Sequence, residues 1–215
     1  MQHQVWACIG WAECQLRGGR TDEAARLLET ALELLVEHPD HAEQIRAYGL
    51  LAAVRLRQGQ TEAAQRAASS AASLIIRFKR PTSFYLLEGY AGVAEVYLSR
   101  WENGQDSRDT RQAAQRACLA LRRFARVFPI GEPRARLWSG RLLHLSGRPG
   151  RARATWRASL SAAQRLDMPF EAALAHQALG RHAASAAQGR QHLERARTLL
   201  RELGLPDEST RGPNR

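Results

Sequence analysis

At 215 residues with 44% hydrophobic side chains, the chain can bury an ordered interior as one large domain or a run of repeats. No window approaches the roughly 18 consecutive apolar residues of a membrane span, and the opening MQHQVWACIGWAECQ lacks the basic lead and apolar run of a secretory signal. The net charge of +11 lies wholly in Trp101–Arg215, because Met1–Arg100 carries 11 basic and 11 acidic residues. Three cysteines (Cys8, Cys14, Cys118) are too few for a disulfide framework, so they read as buried thiols of a cytoplasmic protein.

In chain order, LRGGRTDEAARLLETALELL (16–35) returns forty residues later as LRQGQTEAAQRAASSAASLI (56–75). Gly19 matches Gly59, Ala24 matches Ala64 and Ala31 matches Ala71. Pro39, Pro81, Pro129 and Pro169 punctuate Ala/Leu/Arg-rich segments, and Gly19, Gly59 and Gly147 sit in short polar turns midway between them. Proline stops a helix and glycine allows the turn after one, so the unit reads helix, turn, helix, break. No alternating Val/Ile/Thr run suggests a strand. Apolar residues recur three and four apart with small ones among them, as in Trp11, Ala12, Leu16 and then Leu28, Ala31, Leu35. One hairpin cannot bury both faces and must stack on a copy of itself. The expectation is an all-α solenoid of five hairpins, approximately 3–38, 41–80, 83–128, 131–168 and 170–204, followed by a disordered tail at 205–215.

These units resemble the tetratricopeptide repeat (TPR). The residues that carry the resemblance are Trp11-Ala12, Gly19, Ala24, Leu28 and Ala31 in the first unit, and Leu51-Ala52, Gly59, Ala64, Ala68 and Ala71 in the second. Val93-Ala94, Ala114, Cys118 and Leu121 follow in the third, with a connecting loop eight residues longer. Gly140, Gly147, Ala152, Trp156 and Ser159 continue it in the fourth, then Leu179-Gly180, Gly189, Leu193 and Ala196 in the fifth. The resemblance implies a right-handed superhelix whose first helices line a concave, peptide-binding surface. That lining would include Ile9, Glu13, Leu16, Ala53, Leu56, Arg57, Glu95 and Leu98, then Arg134, Leu137, Arg141, His144, Gln177 and Arg181. Glu13 and Ala53 stand where a carboxylate clamp of the co-chaperone type would have asparagines, so that role is not expected. The forty-residue spacing, and the closing AAQRLDMPFEAALAHQALGRH, also resemble the C-terminal arms of bacterial signalling proteins whose NTPase, adenylyl-cyclase-like or kinase-like modules lie upstream.

No constellation suggests catalysis. GRPGRARAT (147–155) has glycines and charge but no Lys-Ser/Thr pair, and it falls where a repeat turn is required. HPDH (38–41) lacks the further ligand of a usual metal site, so neither a metal nor a cofactor is expected. Cys8 and Cys14, six apart with no base nearby, read as packing residues. Trp11, Trp138 and Trp156 occupy core positions, and Trp101, at the edge of the third-unit loop, either folds back onto its hairpin or stands out as an anchor for a partner. The reading is a non-catalytic protein-binding scaffold, the C-terminal regulatory arm of a longer bacterial signalling protein. The alternative is a polyanion or nucleic-acid binder. Thirteen arginines face one acid between Thr110 and Leu166, and Arg111, Arg116, Arg122, Arg123, Arg126, Arg134, Arg136 and Arg141 would form its patch.

Overall fold

The computed structural model describes residues 2–206; the remainder of the expected tail lies outside the described residues. All regular structure among them is helical, without a strand. Ten α-helices among the described residues pair as five antiparallel hairpins, which divide into two compact units, Met1–Phe128 and Pro129–Arg215. The first unit holds α1 (Gln2–Arg17), α2 (Thr21–Glu37), α3 (His41–Arg57), α4 (Thr61–Phe78), α5 (Leu87–Glu102) and α6 (Arg108–Val127). The second holds α7 (Glu132–Leu145), α8 (Pro149–Arg165), α9 (Pro169–Arg181) and α10 (Ala186–Glu202).

Four of the hairpin turns are built alike. Gly19, Gly59, Gly104 and Gly147 adopt φ between 73° and 88°, the left-handed region where a Cβ is unwelcome. In the first of them Arg20 N–H reaches back to the Gln15 carbonyl at 2.9 Å and Gly19 N–H to that of Leu16 at 3.1 Å, which satisfies carbonyls the helix end would strand. The prolines do more than stop helices. Pro149 and Pro169 open α8 and α9, where the missing N–H has no intrahelical partner to lose. Lys79, the chain's one lysine, ends α4 at φ 44°. The third connection is shorter than expected. It spans only residues 103–107, because Ser107 caps α6 by accepting from Thr110 N–H at 3.1 Å and the extra sequence is absorbed into that 20-residue helix.

Small residues sit at the helix crossings. Ala12, Ala24, Ala31, Ala64, Ala68, Ala71, Ala94 and Ala114 are fully buried, alongside Ile9, Leu28, Leu121 and Phe124. Two expectations fail. Trp11 is 58% exposed, because Ile9 and Ala12 take the inward positions and its neighbouring position turns outward. Cys14 is exposed, off the Val5–Ile9–Ala12–Leu16 stripe, whereas Cys8 is half-buried and Cys118 buried. Leu51, at the position matching Trp11, packs against core residues on both sides of α3.

The closest approach in the first unit joins α3 to α5. A Cβ on Gly92 would overlap the Gly49 carbonyl, one on Gly49 the Gly89 backbone, and one on Gly89 would stand 2.6 Å from the Ile45 oxygen. The second unit reverses the size pattern at its first crossing. Gly140 leaves room for Trp156, which is 1% exposed and donates its indole N–H to the Leu137 carbonyl at 3.0 Å. Ser159 binds the Pro133 carbonyl at 2.7 Å beside it. Across to α9, buried Arg134 forks onto Glu171, Nε to Oε2 at 2.8 Å and Nη2 to Oε1 at 2.5 Å.

Three substitutions test these contacts. Gly92→Ala should lower stability by at least the roughly 1–3 kcal/mol typical of overpacking, since backbone on both sides must move. Gly10→Ala, whose Cβ meets nothing within 4 Å, should be neutral or gain up to about 1 kcal/mol of helix propensity. Thermal melts of the two variants should therefore shift in opposite senses or by clearly unequal amounts. Glu171→Ala strands a buried guanidinium and should cost about 3–5 kcal/mol in chemical denaturation, so a cost under about 1 kcal/mol would mean that water reaches Arg134.

Candidate functional site

The polar residues of α1, α3 and α5 are assembled by the stacking of the first three hairpins. Glu13 lies between two arginines, accepting from Arg17 at 2.7 Å and Arg46 at 3.1 Å. Arg17 also reaches Glu88 on α5 at 3.1 Å, and Arg57 pairs with Glu95 at 3.3 Å. The side chains are neither buried nor free: exposure runs from 13% at Arg46 to 37% at Arg17. Such pairs contribute little to stability, in the range of about 0–1 kcal/mol each. Their arrangement instead lays alternating charge across three hairpins, with guanidinium and carboxylate edges still open to solvent.

Beneath this row lies Glu43, 1% exposed. Burial pushes its carboxyl above the ordinary range; Arg46 opposes that shift, and hydrogen bonds from Tyr85 and Trp6 oppose it further. Its Oε2 has no hydrogen-bond partner among the described residues and sits 3.9 Å from Arg46, whose guanidinium also lies 5.6 Å from the Tyr85 ring centre. Trp6 is thus tied to this acid at one end while 43% exposed at the other.

The residues expected to line the binding face divide into two groups. Glu13, Leu56, Arg57 and Glu95 are half-buried on the first helices, with all but Leu56 in the ion-paired row. Ile9, Leu16, Ala53, Leu98 and Leu137 are core, at 0–8% exposure, and cannot meet a partner. A first helix is covered by its own hairpin mate and by the next hairpin, so only a narrow strip stays open. In the second unit Gln177 is buried, Arg141 lies over the Trp138 ring at 5.6 Å, Arg181 is exposed, and His144 packs against His182 with ring centres 4.1 Å apart. Arg17, Arg46 and Glu88 were missed in the sequence, since their pairing spans 33 and 71 residues.

The expected basic patch also divides. Arg134 is buried against Glu171, Arg136 is held by Glu132 at 2.7 Å, and Arg111 pairs with Asp106 over the Trp101 ring. Arg116, Arg122, Arg123 and Arg126 are exposed on α6, with no ion-pair partner among the described residues. The HPDH segment serves as a helix start: Asp40 accepts from Ala42 and Glu43 N–H at 2.9 and 3.2 Å, and His41 stacks on Phe78. No helix among the described residues is long and apolar enough to cross a membrane.

Hairpins of this geometry, with this turn and small residues at the crossings, match known proteins in both sequence and shape. The family model described as "Tetratricopeptide repeat" matches residues 6–75, the first two hairpins. The chain is a TPR-like helical array. A solved thermophilic TPR protein from Thermus thermophilus superposes with a TM-score of 0.55 at 20% identity, covering 89% of this chain and 98% of that one. Two structures of putative kinesin light chain TPR-like repeats from Podosopora anserina give 0.54 and 0.53 at 16% and 17% identity. They cover 95% and 94% of this chain and 99% of their own. At such identities the likeness shows the fold alone. No curated protein matches the chain.

The TPR-like second unit carries a titrating pair with a measurable consequence. His176 and His192 face each other, Nδ1 to Nδ1 at 2.8 Å. Burial first, then the His192 and Arg195 charges, lower His176 from 6.5 to about 4, and burial with Arg157 lowers His192. The unfolded chain takes up the proton near pH 6.5 and the folded one resists it, so stability present at neutral pH drains away as pH falls toward 4. Melting temperature should decline through that window, and His176→Gln should flatten the decline relative to the parent chain measured alongside it.

Proposed function

We propose that this chain is a non-catalytic protein-binding scaffold which takes an extended or helical peptide along the first-helix face of its first unit. The observation that carries this reading is the row Glu13, Arg17, Arg46, Arg57, Glu88 and Glu95. It presents charges of both signs at partial exposure on the helices that TPR-like arrays leave accessible. Half-desolvated pairs of this kind discriminate between partners by complementarity of charge more than by raw affinity. The setting we propose is the cytoplasm, as the C-terminal regulatory arm of a larger bacterial signalling protein. Its support is the forty-residue repeat spacing and the resemblance of the closing segment to such arms.

A second reading, polyanion binding, is favoured by one observation: Arg116, Arg122, Arg123 and Arg126 form an exposed run on α6 with no ion-pair partner among the described residues. Panning a displayed random-peptide library over the chain separates the two. Among the selected peptides one class should lose at least tenfold in affinity on Arg57→Ala with Glu95→Ala and be indifferent to the α6 arginines. If instead the chain takes up duplex DNA, with log affinity falling against log salt by about 0.9 per phosphate contacted, and the double variant changes nothing, the scaffold reading falls.

A further inference from the structure

The face of α5 opposite the ion-paired row borders a separate opening. Helices α4 and α6 both rest on α5, and the gap between them holds a cavity of about 130 Å³. Ile75 and Ile76 form one wall, Ala117 and Ala120 the other, and Tyr90 and Val93 the floor. The alanines that let α6 sit close to α5 also leave this space unfilled. An engineered cavity of roughly 150 Å³ accepts a benzene molecule, so this one has room for a single bulky apolar side chain.

Its surroundings say which chemistry would fill it. Ile76 is 65% exposed on one lip, and Val127 is 53% exposed further along α6. Tyr90, on the cavity floor, is 4% exposed. Burial holds its pKa at about 12, so the hydroxyl remains a hydrogen-bond donor at all ordinary pH values. The charge that lines the cavity is positive, and cations outnumber acids along its two helices beyond it. Arg116 lines the cavity, Arg123 follows two turns on along the same side of α6, and Lys79 and Arg80 leave the end of α4. The acids of these two helices, Glu62 and Asp109, lie in their first turns.

We infer that the α4–α6 groove is a second docking site, whose occupant is an acidic amphipathic helix of another protein. One leucine or phenylalanine of that helix enters the cavity over Val93, and its flanking carboxylates meet Arg116, Arg123 and Lys79. The Tyr90 hydroxyl donates to whichever acceptor the seated segment brings. Charge complementarity to Arg116, Arg123 and Lys79 selects an acidic segment, and the acidic helix α2 of a second copy does not supply it, because its apolar residues Ala24, Leu28, Ala31 and Leu35 are already buried in its own first hairpin. A nucleic acid strand would satisfy the arginines but leave the isoleucine walls against water. The site shares no residue with the row on the first helices, so one partner could engage both faces or two partners could bind at once.

The test uses a fluorescein-labelled 16-residue peptide of Glu and Ala carrying Leu, Phe and Leu at i, i+4 and i+7. Its companions are a twin with Lys in place of Glu and one with Ser in place of the three apolar residues. The acidic peptide should bind by fluorescence anisotropy and both companions should fail. Ala120→Phe, which fills the cavity from a half-buried position, should weaken binding at least tenfold, as should Arg116→Glu with Arg123→Glu. Arg57→Ala with Glu95→Ala should leave it unchanged. Circular dichroism melts establish that each variant is folded, and if Ala120→Phe is not, the exposed arginine pair decides. Equal binding of the Ser companion would reduce the groove to a polyelectrolyte patch and overturn the inference. Loss on Arg57→Ala with Glu95→Ala would place the peptide on the other face and overturn it too. A dimer of the parent chain in sedimentation that Ala120→Phe dissociates would assign the groove to a second copy, against the proposal.

Discussion

Backbone meets backbone where α3 crosses α5, and the first unit is organised around that contact. Gly49, Gly89 and Gly92 leave no side chain between the two helices, so their axes come closer than any Leu- or Ala-filled interface permits. Close approach of first helices brings charged residues of successive hairpins within ion-pair reach, as Arg57 and Glu95 show. A wider crossing would leave those side chains to water individually. The α3–α5 end of the polar row is therefore a product of packing, set by the absence of three methyl groups.

The same helix separates two environments. Along α5, Glu88 and Glu95 recur seven residues apart on one side, while Tyr90, Val93 and Tyr97 occupy the other. Both sides stay partly open because α4 and α6 each lean on α5 and alanines keep their walls low. A solenoid in which first helices carried only leucine would close the second opening and lose the first. The second unit solves its packing differently, with one buried tryptophan filling what two medium-sized residues would otherwise fill and a buried Arg–Glu fork tying α7 to α9.

Most of the architecture was legible in the sequence because its determinants are local. Turn glycines, alanines at fixed offsets and a repeated twenty-residue sentence all act within one hairpin, and Ala24, Ala64 and Ala114 are buried as that pattern implies. Trp11 misled because size suggests burial while its place on the helix, one step from Ala12, decides exposure. The candidate site was legible only in part. Glu13, Arg57 and Glu95 stood at readable positions, but Leu16, Leu98 and Arg134 share the same spacing and point inward. A four-residue step cannot tell a helix's open strip from its covered ones without knowing which neighbour covers it. Glu171, buried against Arg134, sits in a segment where nothing in the sequence announces a charged partner 37 residues away.

Arginine supplies 31 of the 32 basic side chains, and the exception is Lys79, exposed at the left-handed residue that ends α4. Arginine guanidiniums stay protonated and do not acylate at neutral pH, whereas a lysine amine does so from its small deprotonated fraction. Side-chain amine chemistry on this protein is therefore confined to a single address, one helical turn beyond Ile75 at the lip of the apolar groove. Acylation there would remove a positive charge and add carbon to that rim in one step, without touching the twenty-one acids or the ion pairs on the opposite face of α5.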